Sequence, residues 1–198
     1  MSAADVQARV QALIDHSEGR GLGRRPCAGG PPPPPEPGSP VDRALPPGIR
    51  PDADYANRRD VLTSDIPSEG TMTARGAALL YAALLGDMDG VDLVSPARRA
   101  SMAAVQFEGQ DEVMGIPSTW VFGFSRQRPG GVPSRPGSTF GMVGMNGSAA
   151  YADIDSGVAV AAMRSRFDTD LAVVSEIDRI AADVAPSAGP QPDLRRKA

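Results

Sequence analysis

Lysine is nearly missing from this chain of 198 residues: of its 20 lysines and arginines, only Lys197 is a lysine, one position from the end. Chemistry that needs a lysine amine as a base or Schiff-base former therefore has a single candidate, at the extreme C-terminus. Cysteine is as scarce. Cys27 alone excludes an internal disulfide and any multi-cysteine metal site, and its Gly/Pro-rich surroundings give it no structural part. Histidine also occurs once, as His16. No run approaches the roughly 20 consecutive apolar residues of a membrane span. Asp5 and Arg9 break the basic-then-apolar pattern of a secretory signal. The formal charge of −4, with acids and arginines interspersed, gives no electrostatic footprint for nucleic acid or an anionic membrane surface. The expected setting is the cytoplasm, with no nucleic-acid or membrane partner, no metal and no cofactor.

What remains is ordinary for a globular chain. With 41% hydrophobic and 22% charged residues, it is long enough for one domain with its own core. Residues 1–22 hold a short helix, with Val6, Val10, Leu13 and Ile14 on one face and Gly19, Gly21 and Gly23 ending it. Residues 23–59 read as a linker, because the composition turns to proline and glycine and the unbroken run Pro31 to Pro35 favours an extended polyproline conformation. That run also fits an aromatic-lined proline-recognition groove, although one short run is a weak signal.

Regular structure is expected over 60–185, followed by a polar tail, 186–198. Thr71 and Thr73 can cap a helix carrying Ala77, Leu80, Tyr81, Leu84 and Leu85, with Gly86 at its C-terminal end. A second helix starts at Ser95 with Pro96 in its first turn. Thr119 to Ser125 reads as one strand, and Ser148–Ile154 and Val158–Arg164 form a hairpin around Asp155-Ser156-Gly157. Leu171, Val174, Ile177, Ile180, Ala181 and Val184 recur at helical spacing, giving an amphipathic final helix. The fold class is α/β in the α+β sense: a partial antiparallel sheet flanked by N- and C-terminal helices.

Asp65-Ile66-Pro67, Thr73-Ala74-Arg75, Leu80-Tyr81-Ala82-Ala83-Leu84 and Gly90-Val91-Asp92-Leu93-Val94-Ser95-Pro96 follow one another in order. After them come Trp120-Val121-Phe122-Gly123-Phe124, the run from Phe140 to Ser148, Tyr151-Ala152-Asp153 and Gly157-Val158-Ala159. This series resembles the β-lactamase-like serine hydrolases, the group of class C β-lactamases, related esterases and D-alanyl-D-alanine peptidases, over roughly residues 60–185. The resemblance implies a β-lactamase/transpeptidase-like fold and, ancestrally, acyl-ester or amide hydrolysis through a serine acyl-enzyme. Three elements carry that chemistry in the family. They are a Ser-x-x-Lys motif, a proton-relaying tyrosine, and a Lys/His-x-Gly triplet on an edge strand.

Only the triplet has a counterpart. Met142-Val143-Gly144 stands in its place, with a thioether where the family has a cationic or hydrogen-bonding side chain. Met145-Asn146-Gly147 matches by position the strand that supplies an oxyanion-binding N–H. No serine precedes a lysine by three residues. The resemblance thus implies a truncated C-terminal half, with substrate-pocket residues Met142 to Gly147 and no catalytic residues, that takes at most a small acyl ester or amide. Two rivals stand beside this reading: a non-catalytic binding or complementation module that self-associates through an exposed sheet edge, and a decayed reading frame without function. The truncation is also expected to bare the apolar faces of the final helix and hairpin.

Other constellations carry less. Tyr55-Ala56-Asn57 spells the family's Tyr-x-Asn but falls in the wrong place in the order. Asp15-His16-Ser17 has the residue types of a hydrolytic triad, yet neighbours on a helix cannot point at one another. Gly137 to Gly141 only partly imitates a Gly-x-Ser-x-Gly elbow, and Asp87, Asp89 and Asp92 lack the remaining ligands of a calcium loop. Because proline and glycine cannot offset their ordering entropy with buried apolar surface, limited proteolysis should cut first between residues 24 and 51. Initial cleavage inside 75–125 contradicts this division of the chain.

Overall fold

The computed structural model describes residues 5, 7–12, 34–45, 52–64, 71–126, 138–165 and 170–184. A helix α1 is seen over residues 7–12. Within the stretch read as a linker lie two helical turns, α2 (Pro40–Ala44) and α3 (Ala53–Ala56), and α4 (Arg59–Leu62) follows. The first two owe their starts to capping side chains: Ser39 accepts from the Asp42 N–H and Asp52 from the Tyr55 N–H.

The longer helix α5 (Ala74–Leu85) begins where Thr73 accepts from the Gly76 N–H at 3.0 Å and ends at Gly86, whose φ of 75° only glycine adopts without strain. Helix α6 (Pro96–Met102) has Ser95 as its cap and Pro96 in its first turn. The two meet where the Arg99 side chain lies over Gly86; a Cβ there would sit 2.3 Å from the guanidinium.

Six strands follow: β1 (Val105–Gln110), β2 (Pro117–Val121), β3 (Phe124–Ser125), β4 (Thr139–Val143), β5 (Ala149–Asp153) and β6 (Val158–Ala162). They form one antiparallel sheet in chain order, so every neighbour in the sheet is a neighbour in sequence. The expected hairpin about Asp155-Ser156-Gly157 is β5–β6, and Gly157 takes φ 70° in its turn. The single strand expected over Thr119–Ser125 is instead two. Phe122-Gly123 makes a tight turn, Trp120 pairing with Ser125 and Val121 with Phe124, because Gly123 adopts φ 82°.

Period-two alternation assigns the two faces of the sheet. On one, Phe140, Ala152 and Val121 pack with Tyr81, Leu85, Met102 and Ala103 of α5 and α6. On the other, Ala149, Ala162 and Val143 pack with Val174 and Ile177 of the last helix, α7 (Ala172–Val184). Expected exposure of the final helix's apolar face is not what the structure shows. Val173, Val174 and Ile180 are buried, since α7 lies against the sheet, and apolar exposure falls on α5 at Leu79 and Leu80 and on the β1–β2 hairpin at Val105, Phe107, Val113, Met114 and Ile116. Arg9 ties α1 to α7 through Asp183 at 2.8 Å and Glu176 at 3.6 Å, exposed pairs that solvent screens and that add little to stability.

A buried polar link fastens α7 more firmly: the Tyr151 hydroxyl of β5 donates to Asp178, a carboxylate with no exposed surface. Tyr151 can cross the sheet face only because its partner in β4 is Gly141. A Cβ at Gly141 would stand 2.4 Å from both the Tyr151 Cβ and the Ala150 carbonyl oxygen. Backbone cannot retreat as a flexible side-chain tip can, so Gly141→Ala should lower stability by about 1–3 kcal/mol, the usual cost of overpacking. Urea unfolding checks this; an unchanged midpoint would mean that β4 and β5 are not held this closely.

Candidate functional site

The pocket residues expected from sequence occupy the end of β4 and the turn after it. Met142 lies on the α5/α6 face, two residues beyond the fully buried Phe140, and is 42% exposed. Val143 faces the other way, into the cluster with α7. Gly144 opens the β4–β5 turn: its N–H donates to Ser148 O at 2.7 Å, and Gly147 donates back to Gly144 O at 2.9 Å. The Asn146 side chain is used inside this turn, accepting from the Ser148 N–H at 3.0 Å. Gly147 has φ 78° and lies against the Arg164 guanidinium. Met145-Asn146-Gly147 is thus a turn and not the continuation of a strand. It leaves the Met145 and Asn146 N–H groups without a bond among the described residues.

Beside this end of β4 runs an open groove of about 500 Å³ that the sequence did not disclose as a site. Leu93 and Val94 before α6, Met102 at its end, and Phe122 and Phe124 of the β2–β3 turn form its apolar walls, with Ser95 and Arg98 adding the polar part. Gly141 pairs with Ser125, so extending the antiparallel register by one residue sets Phe124 beside Met142. Groove and strand end thereby share one face. The signal was present in Gly90 to Pro96 and in Trp120 to Phe124, but the folding back of Phe122-Gly123 brings the two together, and that turn was read as strand.

The hydroxyls of the groove and of the two ends of β4 are engaged or buried. The Ser95 side chain accepts from the Arg98 N–H at 3.3 Å, and Ser148 Oγ accepts from the Arg164 N–H at 3.0 Å. Ser138 is buried to 1% exposure beneath the start of β4. The three tyrosines are equally committed. Tyr55 sits in α3 under Arg58, which lies 5.5 Å from its ring centre, and Asn57 caps the same turn by donating to Ala53 O at 2.7 Å. Tyr81 is packed between Phe124 and Phe140, and burial pushes its pKa up, away from use as a base. Tyr151 is bound to Asp178.

Histidine, lysine and cysteine do not occur among the described residues; His16, Cys27 and Lys197 lie outside them, as do Asp15, Ser17, Asp65 to Pro67 and Gly137. No group of three metal-binding side chains is found among the described residues, and Asp87, Asp89 and Asp92 stand in the turn between α5 and α6. No helix of the described residues is long and apolar enough to cross a membrane.

This architecture, six antiparallel strands between helices, is structurally similar to that of β-lactamase-fold esterases. The chain overlaps the crystal structure of a family VIII carboxylesterase over 72% of its own length, at 25% identity and a TM-score of 0.63. It has the fold of part of that enzyme. The overlap spans 39% of the carboxylesterase chain. Weaker overlaps are with a novel penicillin-binding protein homolog from Caulobacter crescentus (31% identity, TM-score 0.49, 57% of this chain and 32% of that one) and with EstA from Arthrobacter nitroguajacolicus Rue61a (21%, 0.44, 57% and 33%). No protein-family model matches the chain, and no curated protein does.

Opposite the groove's aromatic turn, Asp111 organises the β1–β2 loop. Its carboxylate accepts from the backbone N–H groups of Met114 at 2.8 Å and Val113 at 2.9 Å, and from Trp120 Nε1–H at 3.3 Å. These donors, Met114 foremost, hold its carboxyl below the usual aspartate range. A depressed folded-state pKa means that the group's stabilising contribution is present above the unfolded value and is lost as pH falls through the folded one. Trp120 is the only tryptophan, so its indole N–H resonance should titrate with a midpoint below about 3.9, the ordinary value for aspartate. The transition should disappear in Asp111→Asn. A midpoint at or above that value would show that the loop donors do not engage the carboxylate.

Proposed function

We propose that the chain is a truncated relative of the β-lactamase-like serine hydrolases that keeps a small-molecule groove for an acyl ester or amide and has lost the acylation chemistry. The observation that carries this reading is a conjunction. The fold overlaps a carboxylesterase, while no serine of the sequence precedes a lysine by three residues.

Acylation at neutral pH needs a serine hydroxyl whose proton a positioned base removes. Ser95 in the groove and Ser148 at the β4–β5 turn each accept a hydrogen bond from a backbone N–H. No imidazole or amine stands among the described residues, and burial raises the Tyr81 pKa above its ordinary value. Met142 offers a polarisable sulfur, which shapes a pocket without polarising a carbonyl. What remains is binding. Leu93, Val94, Met102, Phe122 and Phe124 provide an apolar wall, and the Met145 and Asn146 N–H groups provide donors for a carbonyl oxygen at the end of β4.

Loss of a nucleophile or its base costs on the order of 10⁴–10⁶ in rate, more than oxyanion donors restore. The purified protein should therefore hydrolyse nitrocefin and p-nitrophenyl acetate no faster than an unfolded control, and it should gain no mass from a fluorophosphonate probe. A stoichiometric adduct on one serine, above all Ser138 or Ser148, would overturn the proposal and reveal a different base.

A further inference from the structure

The groove beside β4 is one-sided in its polar chemistry. Its walls at Leu93, Met102, Phe122 and Phe124 are apolar, and the polar side chains that line it are Ser95 and Arg98. Among the described residues no acidic side chain lines it; Asp92, one position before Leu93, stays outside the lining. Arg98 is exposed, and among the described residues its guanidinium has neither a hydrogen bond nor an ion pair. Its neighbour is committed elsewhere. The Arg99 side chain lies over Gly86 at the end of α5 and donates to Val94 O at 3.5 Å. Ser95 Oγ accepts from the Arg98 N–H at 3.3 Å, which leaves its hydroxyl hydrogen free to donate. The polar end of the groove thus presents donors and one full positive charge to whatever enters.

We propose that the groove binds a carboxylate monoanion with an apolar body, the carboxylate meeting the Arg98 guanidinium and the Ser95 hydroxyl while the body covers Leu93, Phe122 and Phe124. This rests on the reading of the groove as a small-molecule site and narrows it: the acyl ester or amide bound there also carries a free acid. Charge decides the class. An ammonium would be repelled by the unpaired Arg98, and a neutral end would strip water from that guanidinium without replacing its hydrogen bonds. A dianionic phosphate would be only half balanced by one cation. A carboxylate matches the planar fork, whose two parallel N–H groups it can accept from at once. The rest of the ligand is apolar because Leu93 and Phe122, 51% and 58% exposed, stand outside both buried clusters and gain from any surface that takes them out of water.

Three matched amides separate charge from shape: N-(4-phenylbutanoyl)glycine, its neutral glycinamide, and the cationic N-(4-phenylbutanoyl)ethylenediamine. An open groove of about 500 Å³ covers such a ligand only in part, so dissociation constants on the order of 0.1–1 mM are expected for the acid. Titration of the ¹⁵N-labelled full chain, followed by backbone NMR shifts, measures them and locates the site. The acid should shift Leu93, Ser95 and Phe122 and bind about tenfold more tightly than the neutral amide, as a hydrogen-bonded charge pair contributes, with the cation weakest. Arg98→Gln should abolish that preference and leave the affinity for the neutral amide unchanged. Arg75→Gln, which removes an exposed arginine outside the groove, should preserve it. Equal binding of acid and neutral amide overturns the carboxylate assignment while the groove stands as a small-molecule site. A preference for the acid that survives Arg98→Gln, or shifts confined to residues away from the groove, also overturns it. Binding of none of the three sinks the groove reading itself and this inference with it.

Discussion

The rings of Tyr81, Phe124 and Phe140 meet with centroids 5.3 to 6.1 Å apart, joining α5, β3 and β4 at one point. The chain has only nine aromatic residues, and this trio is where the sheet's α5 face gains bulk. Alanine makes up much of the remaining core: Ala77, Ala83, Ala103, Ala149, Ala152 and Ala162 are all buried. Alanines let α5 approach β5 and β6 closely but bury little surface each. The aromatic contact therefore fixes where α5 sits, and through it where α6 and the groove walls sit, since Phe124 belongs to core and groove alike.

The opposite face is set by a polar constraint. Asp178 has no exposed surface, and a carboxylate placed there needs donors, of which the Tyr151 hydroxyl is one. Tyr151 in turn needs Gly141 as its partner across the ladder. A single requirement thus runs from α7 through β5 to β4, the strand that ends in Met142. The candidate site inherits its position from two packing arrangements, one on each side of the sheet, and neither involves catalytic chemistry.

Much of this was legible in sequence. The Thr73 and Ser95 caps, the Gly86 terminator and the β5–β6 turn rest on local backbone chemistry, which a sequence states directly. The 3.6-residue spacing of α7 was equally plain. Strand β1 went unread because Val-Gln-Phe-Glu-Gly-Gln alternates over only six residues and every one is exposed, so no burial reinforces the pattern. The break at Phe122-Gly123 was hidden by its aromatic flanks, which favour strand on propensity alone. The groove was illegible for a different reason: its walls lie about thirty residues apart in sequence and become one surface only when β3 folds back on β2. Met142 to Gly147 were placed at a strand end by resemblance, yet their turn geometry, with Asn146 turned inward, follows from Gly144 and Gly147 and not from any family motif.

Two of the groove's apolar walls are not needed by the core. Met102 and Phe124 are kept by folding, because they pack against Tyr81 and Phe140. Leu93 and Phe122, by contrast, are 51% and 58% exposed and stand outside both buried clusters. Single exposed apolar residues are ordinary on a protein surface, but these two line one concavity from opposite sides, one before α6 and one on the β2–β3 turn. Folding pressure is indifferent to a polar residue at either position. A ligand with an apolar body is not, because each wall it covers removes further surface from water. The apolar wall beside Met142 therefore serves no need of the core, the division expected when function is carried by side chains grafted onto a fold that stands without them.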